Sequence, residues 1–271
     1  MAGSIDGNTL QGVSATTLWT LRNRAVEAKR PDALIDDPLA VKCYDTIDYD
    51  YDKFGKPSQS HPLRALAADA AVRDHLARHP GATVVNLGEG LQTGFWRVGD
   101  PSVRWVSVDL EPVIDVRRQL LPAEDQVVEC PFSALDRSWF DEVPGDQPVL
   151  IIAEGLFMYF TPDAVWSLLG DLATRFRGGS LLFDSIPGWF SKKTLSGLNL
   201  TDRYRAPEMP FALTVDEAAT IPQRIPQITR VDDVMLPKGR GPWGNPLLRA
   251  TSNWPVLRNQ RPSLSLAHFA E

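Results

Sequence analysis

The chain has 271 residues, of which 43% are apolar and 23% charged, which gives room for a sizeable core and excludes a disordered, collagen-like or coiled-coil protein. A formal net charge of -6 and a pI near 5.3 exclude nucleic acid or an acidic membrane as a partner held by bulk charge, and favour a small molecule. Two cysteines, Cys43 and Cys130, cannot build a disulfide framework, and His61, His75, His79 and His268 lack metal-ligand spacing; no metal is expected, and a reducing cytoplasm is the expected compartment.

No apolar run reaches membrane-spanning length, and the start MAGSIDGNTLQG has no charged-then-apolar leader pattern. In chain order, Ser14 or Thr16 can cap a first helix through Leu18, Leu21, Ala25 and Ala28, which must end near Arg30 because Pro31 pushes its predecessor out of the α region. Residues 44–60, YDTIDYDYDKFGKPSQS, carry no period and read as a mobile loop. Helix returns after Pro62, with Leu63, Leu66, Ala70 and Leu76 on one side. From residue 82 short apolar runs alternate with helical ones: ATVVNL, a helix from about Leu91, RWVSVD, a helix from Pro112, QVVEC, PVLIIAEG, a helix after Thr161-Pro162, and SLLFDS. That alternation predicts a doubly wound α/β core with a mostly parallel sheet and helices on both faces. One domain spans 1–271: a helical N-terminal cover over 1–80, the cofactor-binding core over 81–186, and a substrate lid with the last strands over 187–271. Ten of the 22 prolines fall from Pro187 onward, and with Trp189, Phe190, Pro207, Met209, Pro210, Phe211 and Trp243 they suit an apolar lid on stiff connections.

The first strand-to-helix turn, where open parallel sheets bind ligands, reads Asn86-Leu87-Gly88-Glu89-Gly90-Leu91-Gln92-Thr93. Gly88 and Gly90 allow a tight turn and close approach of a ligand, and Asp109, at the next strand end, can take both hydroxyls of a ribose. The same residues would also make a plain turn and a helix cap. A dinucleotide fingerprint needs glycine where Thr93 stands, and a P-loop needs Gly-Lys-Ser/Thr, which is absent; S-adenosylmethionine, with no phosphate to cradle, fits better.

The run VVNLGEGLQTGFWRV resembles the first motif, close to N-L-G-x-G-x-D-T-x-x-W-R, of the leucine carboxyl methyltransferase and TcmP-like O-methyltransferase family. The resemblance extends through RAVEAKRPDALIDDPLA, VDLEPVIDVRRQLL, AEGLFMYFTPDAV, FDSIPGWFS and YRAPEMPFAL, about residues 20 to 215. It implies a class I methyltransferase, Rossmann-like fold with a seven-stranded sheet, and S-adenosylmethionine as cofactor with S-adenosylhomocysteine as product. By that resemblance Gly88 and Gly90 lie beside the methionine moiety, Asp109 on the ribose, Arg64 on the cofactor carboxylate, Glu154 near the cofactor, and Phe132 and Ser133 at the adenine, with Asp136 further along. Gln92 stands where the family carries aspartate. The implied activity is methyl transfer to a carboxylate or hydroxyl of a small molecule; the alternatives are a protein C-terminal carboxyl methyltransferase, a non-catalytic cofactor-binding relative, or an NAD(P)-binding oxidoreductase. Tyr159, Arg203 and Tyr204 are the candidate substrate-side catalytic residues, no histidine lies beside the cofactor motifs in sequence, and a monomer or homodimer is expected.

Overall fold

The computed structural model describes residues 4–145 and 147–271; Met1 to Gly3, the first residues of the segment read for a leader, and Asp146 lie outside them. Seven strands form the central sheet: β1 (Thr83–Leu87), β2 (Arg104–Val108), β3 (Val127–Cys130), β4 (Leu150–Ala153), β5 (Ser180–Ser185), β6 (Ile228–Asp233) and β7 (Ser263–Phe269). Their order is β3-β2-β1-β4-β5-β7-β6, parallel except for β7, which runs antiparallel to both neighbours. Strand order reverses between β1 and β4, so the carboxyl ends of these two strands open the crevice in which such sheets bind ligands.

Alternation along β1 decides which helices cover each face. Val85 and Leu87 pack with Val165, Leu168 and Leu172 of helix α6 (Pro162–Arg175), while Val84 packs with Val72 and Leu76 of α3 (Ser60–Arg78) on the other side. Every residue of β1 and β5 is buried, which is why these runs are apolar without strict alternation. A third cluster joins α1 (Thr16–Ala28) and α2 (Pro38–Thr46) to α5 (Glu111–Leu120) through Leu18, Leu21, Ala40, Cys43, Val113 and Val116. Among the described residues no helix is long and apolar enough to cross a membrane.

Several expected boundaries move. The α1 cap is Ala15, at the end of a 3-10 turn over Gly12–Ala15, and neither Ser14 nor Thr16 caps the helix; the Thr16 hydroxyl donates back to Val13 O at 2.6 Å instead. Residues 44–60 are not a plain loop. They include the end of α2 and a 3-10 turn, Tyr51–Phe54, and both Tyr51 and Phe54 are buried. The aromatic rings outweigh the Asp, Gly and Pro turn signals there, with Tyr51 against Tyr44 at 4.5 Å between centroids. On α3 the buried face runs through Leu63, Ala67, Ala68, Val72 and Leu76, and Ala70 is exposed. The helix expected from Leu91 begins at Gly94 (α4, Gly94–Val98), because the carbonyls of Leu91 and Gln92 accept hydrogen bonds from Arg24 and Arg117 rather than from a helix.

His75 on α3 is 2% exposed, and its Nε2 donates to Pro148 O at 3.1 Å. Burial pushes its pKa down to about 4, so the folded chain keeps it neutral where the unfolded chain takes up a proton. Stability therefore falls as pH drops from the ordinary histidine value toward 4, at about 1.4 kcal/mol per pH unit for this residue. Urea titrations across that window should show His75→Asn with a pH slope shallower by about one proton; equal slopes would contradict the assignment.

Candidate cofactor and substrate site

The turn after β1 is built from beneath by buried charge. Arg117 of α5, 1% exposed, donates to Gly90 O at 2.7 Å and Gln92 O at 3.0 Å, and pairs with the fully buried Glu89 carboxylate at 3.1 Å. Glu89 also accepts from Trp105 Nε1 at 3.0 Å and from Ser107 Oγ; burial raises its pKa against these partners. Arg24 of α1, with no exposure, donates to Leu91 O and to Asp37, both at 2.5 Å. Asp37 caps α2 through Ala40 N, accepts from Thr93 Oγ1 at 2.6 Å and pairs with Arg97 at 3.0 Å. Burial alone would raise the Asp37 pKa, but Arg24, Arg97 and Thr93 hold it below the usual carboxylate range. None of these pairings was read from the sequence, although Arg24 and Asp37 lie in the quoted RAVEAKRPDALIDDPLA run.

Above this base the backbone is exposed to the crevice. Gly88 and Gly90 adopt φ of 61° and 59°, in the left-handed region that glycine enters without strain. The Asp109 carboxylate accepts from Gly90 N and Leu110 N, both at 2.7 Å, and desolvation raises its pKa against those two donors. The carboxylate is thus fixed across the turn, with its remaining lone pairs free for hydroxyl donors.

The second half of the crevice comes from β4, β5 and α3. Arg64 donates through Nε to Glu154 at 2.9 Å and through Nη1 to Asp184 at 2.6 Å, while Asp184 accepts from Gly155 N at 2.6 Å. Burial works against the Arg64 charge, but Asp184 and Glu154 more than offset it and raise its pKa. Two carboxylates against one guanidinium leave this corner one negative charge in surplus. Gln92 borders it without adding charge: Nε2 donates to Glu154 at 2.9 Å, and the buried Oε1 has no partner among the described residues. Surplus carboxylate at the edge of a cavity fits an ammonium or sulfonium. Gln92 thus replaces the family's aspartate without adding a third carboxylate beside Glu154. A cofactor carboxylate would meet Arg64 through Nη2, since Nε and Nη1 are already engaged.

One cavity of about 850 Å³ joins these parts and is lined by Arg64, Gly88, Gly90, Asp109, Phe132, Ser133, Glu154 and Tyr159. Eight of the ten predicted site residues are therefore brought together. Arg203 and Tyr204 are not among its lining. Arg203 pairs with Asp50 at 3.0 Å with both side chains more than half exposed, and Tyr204 packs behind the wall against Phe54, 4.8 Å between centroids. Leu200 and Ala206 of the same connection line the cavity, but Arg203 and Tyr204 between them turn to Asp50 and Phe54, so the lining does not support their placement as substrate-side residues. Asp136 also lies apart, capping a surface 3-10 turn through Ser138 N. The sequence reading missed His61, which lines the cavity from α3 next to Trp19 and Arg64. Arg203→Ala should leave turnover within about twofold of the parent, as surface changes usually do; a tenfold loss in steady-state rate would return Arg203 to the site.

The geometry also weighs against a dinucleotide. A pyrophosphate would sit at the start of α4, but that helix has five residues, and Thr93 before it is engaged with the Asp37 carboxylate.

Comparison with known proteins agrees. The family described as leucine carboxyl methyltransferase matches residues 17–173, from α1 through most of α6. The tetracenomycin polyketide synthesis O-methyltransferase TcmP of Streptomyces glaucescens is 29% identical over 221 residues, 80% of each chain. An S-adenosyl-L-methionine-dependent methyltransferase of Gibberella zeae, dpfgK, is 30% identical over 207 residues, 68% of this chain and 69% of its own. Among solved structures, the CurJ carbon methyltransferase shares the fold, with a TM-score of 0.54 at 11% identity over 96% of this chain and 67% of that one. With more than half its length matched, ligand turn included, the chain belongs to the leucine carboxyl methyltransferase family.

Proposed function

We propose that this chain is an S-adenosylmethionine-dependent O-methyltransferase acting on a carboxylate or acidic hydroxyl of an apolar small molecule. The observation that carries this reading is the single cavity in which a ribose-ready carboxylate and a cation-ready corner open into an apolar chamber walled by Met158, Ile186, Phe190, Met209, Trp243 and Leu248. When bound, the cofactor supplies an electrophilic methyl group on a sulfonium with a neutral thioether as leaving group. Asp109 would hold the ribose hydroxyls, Phe132 and Ser133 the adenine, Glu154 the ammonium, and Arg64 Nη2 the carboxylate. Gly88 and Gly90 let the turn close against Leu156 and Thr17, whose side chains stand where a Cβ would be. The apolar walls align the acceptor and exclude water, which is the main work in such a displacement.

A carboxylate acceptor is already ionised at neutral pH and needs no base. Tyr159 is a weak candidate for that task, because burial raises its pKa further. The relatives' names support the reading: one is a polyketide-synthesis O-methyltransferase, another S-adenosyl-L-methionine-dependent. The two cysteines are free and buried, which suits the reducing cytoplasm we propose as its compartment.

Methyl-tritiated cofactor offered with a panel of aromatic acids and phenols tests the activity, and mild base then separates the product classes. A methyl ester releases volatile methanol, whereas a methyl ether does not. Asp109→Ala should weaken S-adenosylhomocysteine binding by about thirtyfold, about 2 kcal/mol, the net worth of one charge-assisted hydrogen bond. Unchanged affinity in calorimetry would remove Asp109 from the site.

A further inference from the structure

The cavity contains a histidine whose hydrogen-bonding state the structure defines. His61 Nδ1 lies 2.5 Å from Asn23 Nδ2. The other end of that amide is engaged, since Asn23 Oδ1 accepts from Ser58 N at 3.3 Å, so the amide nitrogen faces the ring and donates to it. Nδ1 is then the bare nitrogen and Nε2 carries the proton. The ring is set by Trp19, edge-on at 5.3 Å between centroids, and Trp19 is itself stacked on Phe54 at 5.9 Å. Nε2 has no hydrogen-bond partner among the described residues, and it is not sealed away as a buried orphan, in a ring that lines the cavity.

We infer that His61 orients the methyl acceptor, offering its Nε2–H to an oxygen of the acceptor and not serving as a general base. The inference rests on the proposed methyl transfer in this cavity. It narrows the acceptor to a planar acid or acidic phenol with a second oxygen beside the reacting one, so that one oxygen attacks while the other takes the hydrogen bond.

Charge around the ring agrees with this role. Burial pushes the His61 pKa down to about 3, and Arg64 on its own helix and Arg24 on α1 further disfavour a proton. Each acidic group of the cavity is engaged elsewhere: Glu154 and Asp184 with Arg64, Asp109 with the Gly90 turn, and Glu89 with Arg117. Tyr159 and the hydroxyls of Ser58 and Ser60 also line the cavity and bring no charge at neutral pH, while its further cations, Arg249 and Arg261, are held by Leu236 O and Asp233.

Nitrogen-15 NMR of the whole chain loaded with S-adenosylhomocysteine tests this directly, with 3-hydroxy-2-naphthoate as acceptor probe. The expected result is an Nε2–H imidazole that does not titrate between roughly pH 5.5 and 8.5, where an ordinary histidine would, and whose N–H resonance moves when the probe binds. His61→Leu should weaken probe binding by about tenfold with cofactor affinity unchanged, and His61→Gln, which keeps an N–H at that reach, should recover most of the loss. A proton on Nδ1, an imidazolium forming within that range, or equal probe affinity in His61→Leu would overturn the inference. Should the NMR and binding results hold while no methyl reaches any acceptor, the proposed function fails and the donor role of His61 stands.

Discussion

Arg117→Met will cost the folded chain about 3 kcal/mol or more, the range found when one partner of a buried ion pair is removed. The side chain is buried, and truncation strands three acceptors at once: the Glu89 carboxylate and the carbonyls of Gly90 and Gln92. Trp105 and Ser107 still donate to Glu89, but they bring no charge, and the carboxylate must then take up a proton or draw in water. Urea unfolding followed by tryptophan fluorescence measures the loss. Combining Glu89→Gln with Arg117→Met removes the stranded charge and should recover part of the stability, so the double variant ought to be more stable than Arg117→Met alone. A loss below about 1 kcal/mol would mean that the turn does not depend on this pair.

Gly90→Ala has the largest expected effect on cofactor binding. A Cβ there would stand 2.2 Å from Thr17 Oγ1, the atom that accepts the Leu91 N–H, and the residue would be forced to keep a φ of 59°. Neither side can yield cheaply. Thr17 lies on α1 with its hydroxyl already in use, and moving the turn pulls Gly90 N away from Asp109. Affinity for S-adenosylhomocysteine should fall by about a hundredfold, combining left-handed strain of 1–3 kcal/mol with the displaced carboxylate. Gly88→Ala is the internal contrast. Its Cβ would meet Leu156 Cδ1 at 2.7 Å, the far end of a flexible side chain, so about tenfold is expected. Calorimetry on both variants decides the matter, and equal losses would show that backbone strain alone, without the Thr17 contact, sets the effect.

The strands β1 to β5 were legible because they are short apolar runs between helical periods, and the ligand-turn glycines and Asp109 follow from where β1 and β2 end, whereas β6 and β7 carry no such run. What holds the turn in place was not legible. Arg24 reaches Leu91 across 67 positions and Arg117 reaches Gly90 across 27, and an arginine in a helix carries no sign that it points inward until the helix is packed. The same reason hid His61: it stands three residues before Arg64 on α3, and its direction into the cavity shows only once that helix is packed. Arg203 and Tyr204 failed in the opposite way: a motif-rich stretch suggested the site, but Asp50 and Phe54 on the 51–54 side hold them elsewhere. That side was itself misread, because its turn-forming residues alternate with aromatics that the fold buries.

Titration calorimetry of the purified chain with S-adenosylhomocysteine, run beside NADH, tests the central claim most directly. The account predicts one molecule bound per chain with a Kd on the order of micromolar, a loss of about thirtyfold or more in Asp109→Ala, and no response to NADH. Absence of S-adenosylhomocysteine binding, or binding that survives unchanged in both Asp109→Ala and Gly90→Ala, would contradict it.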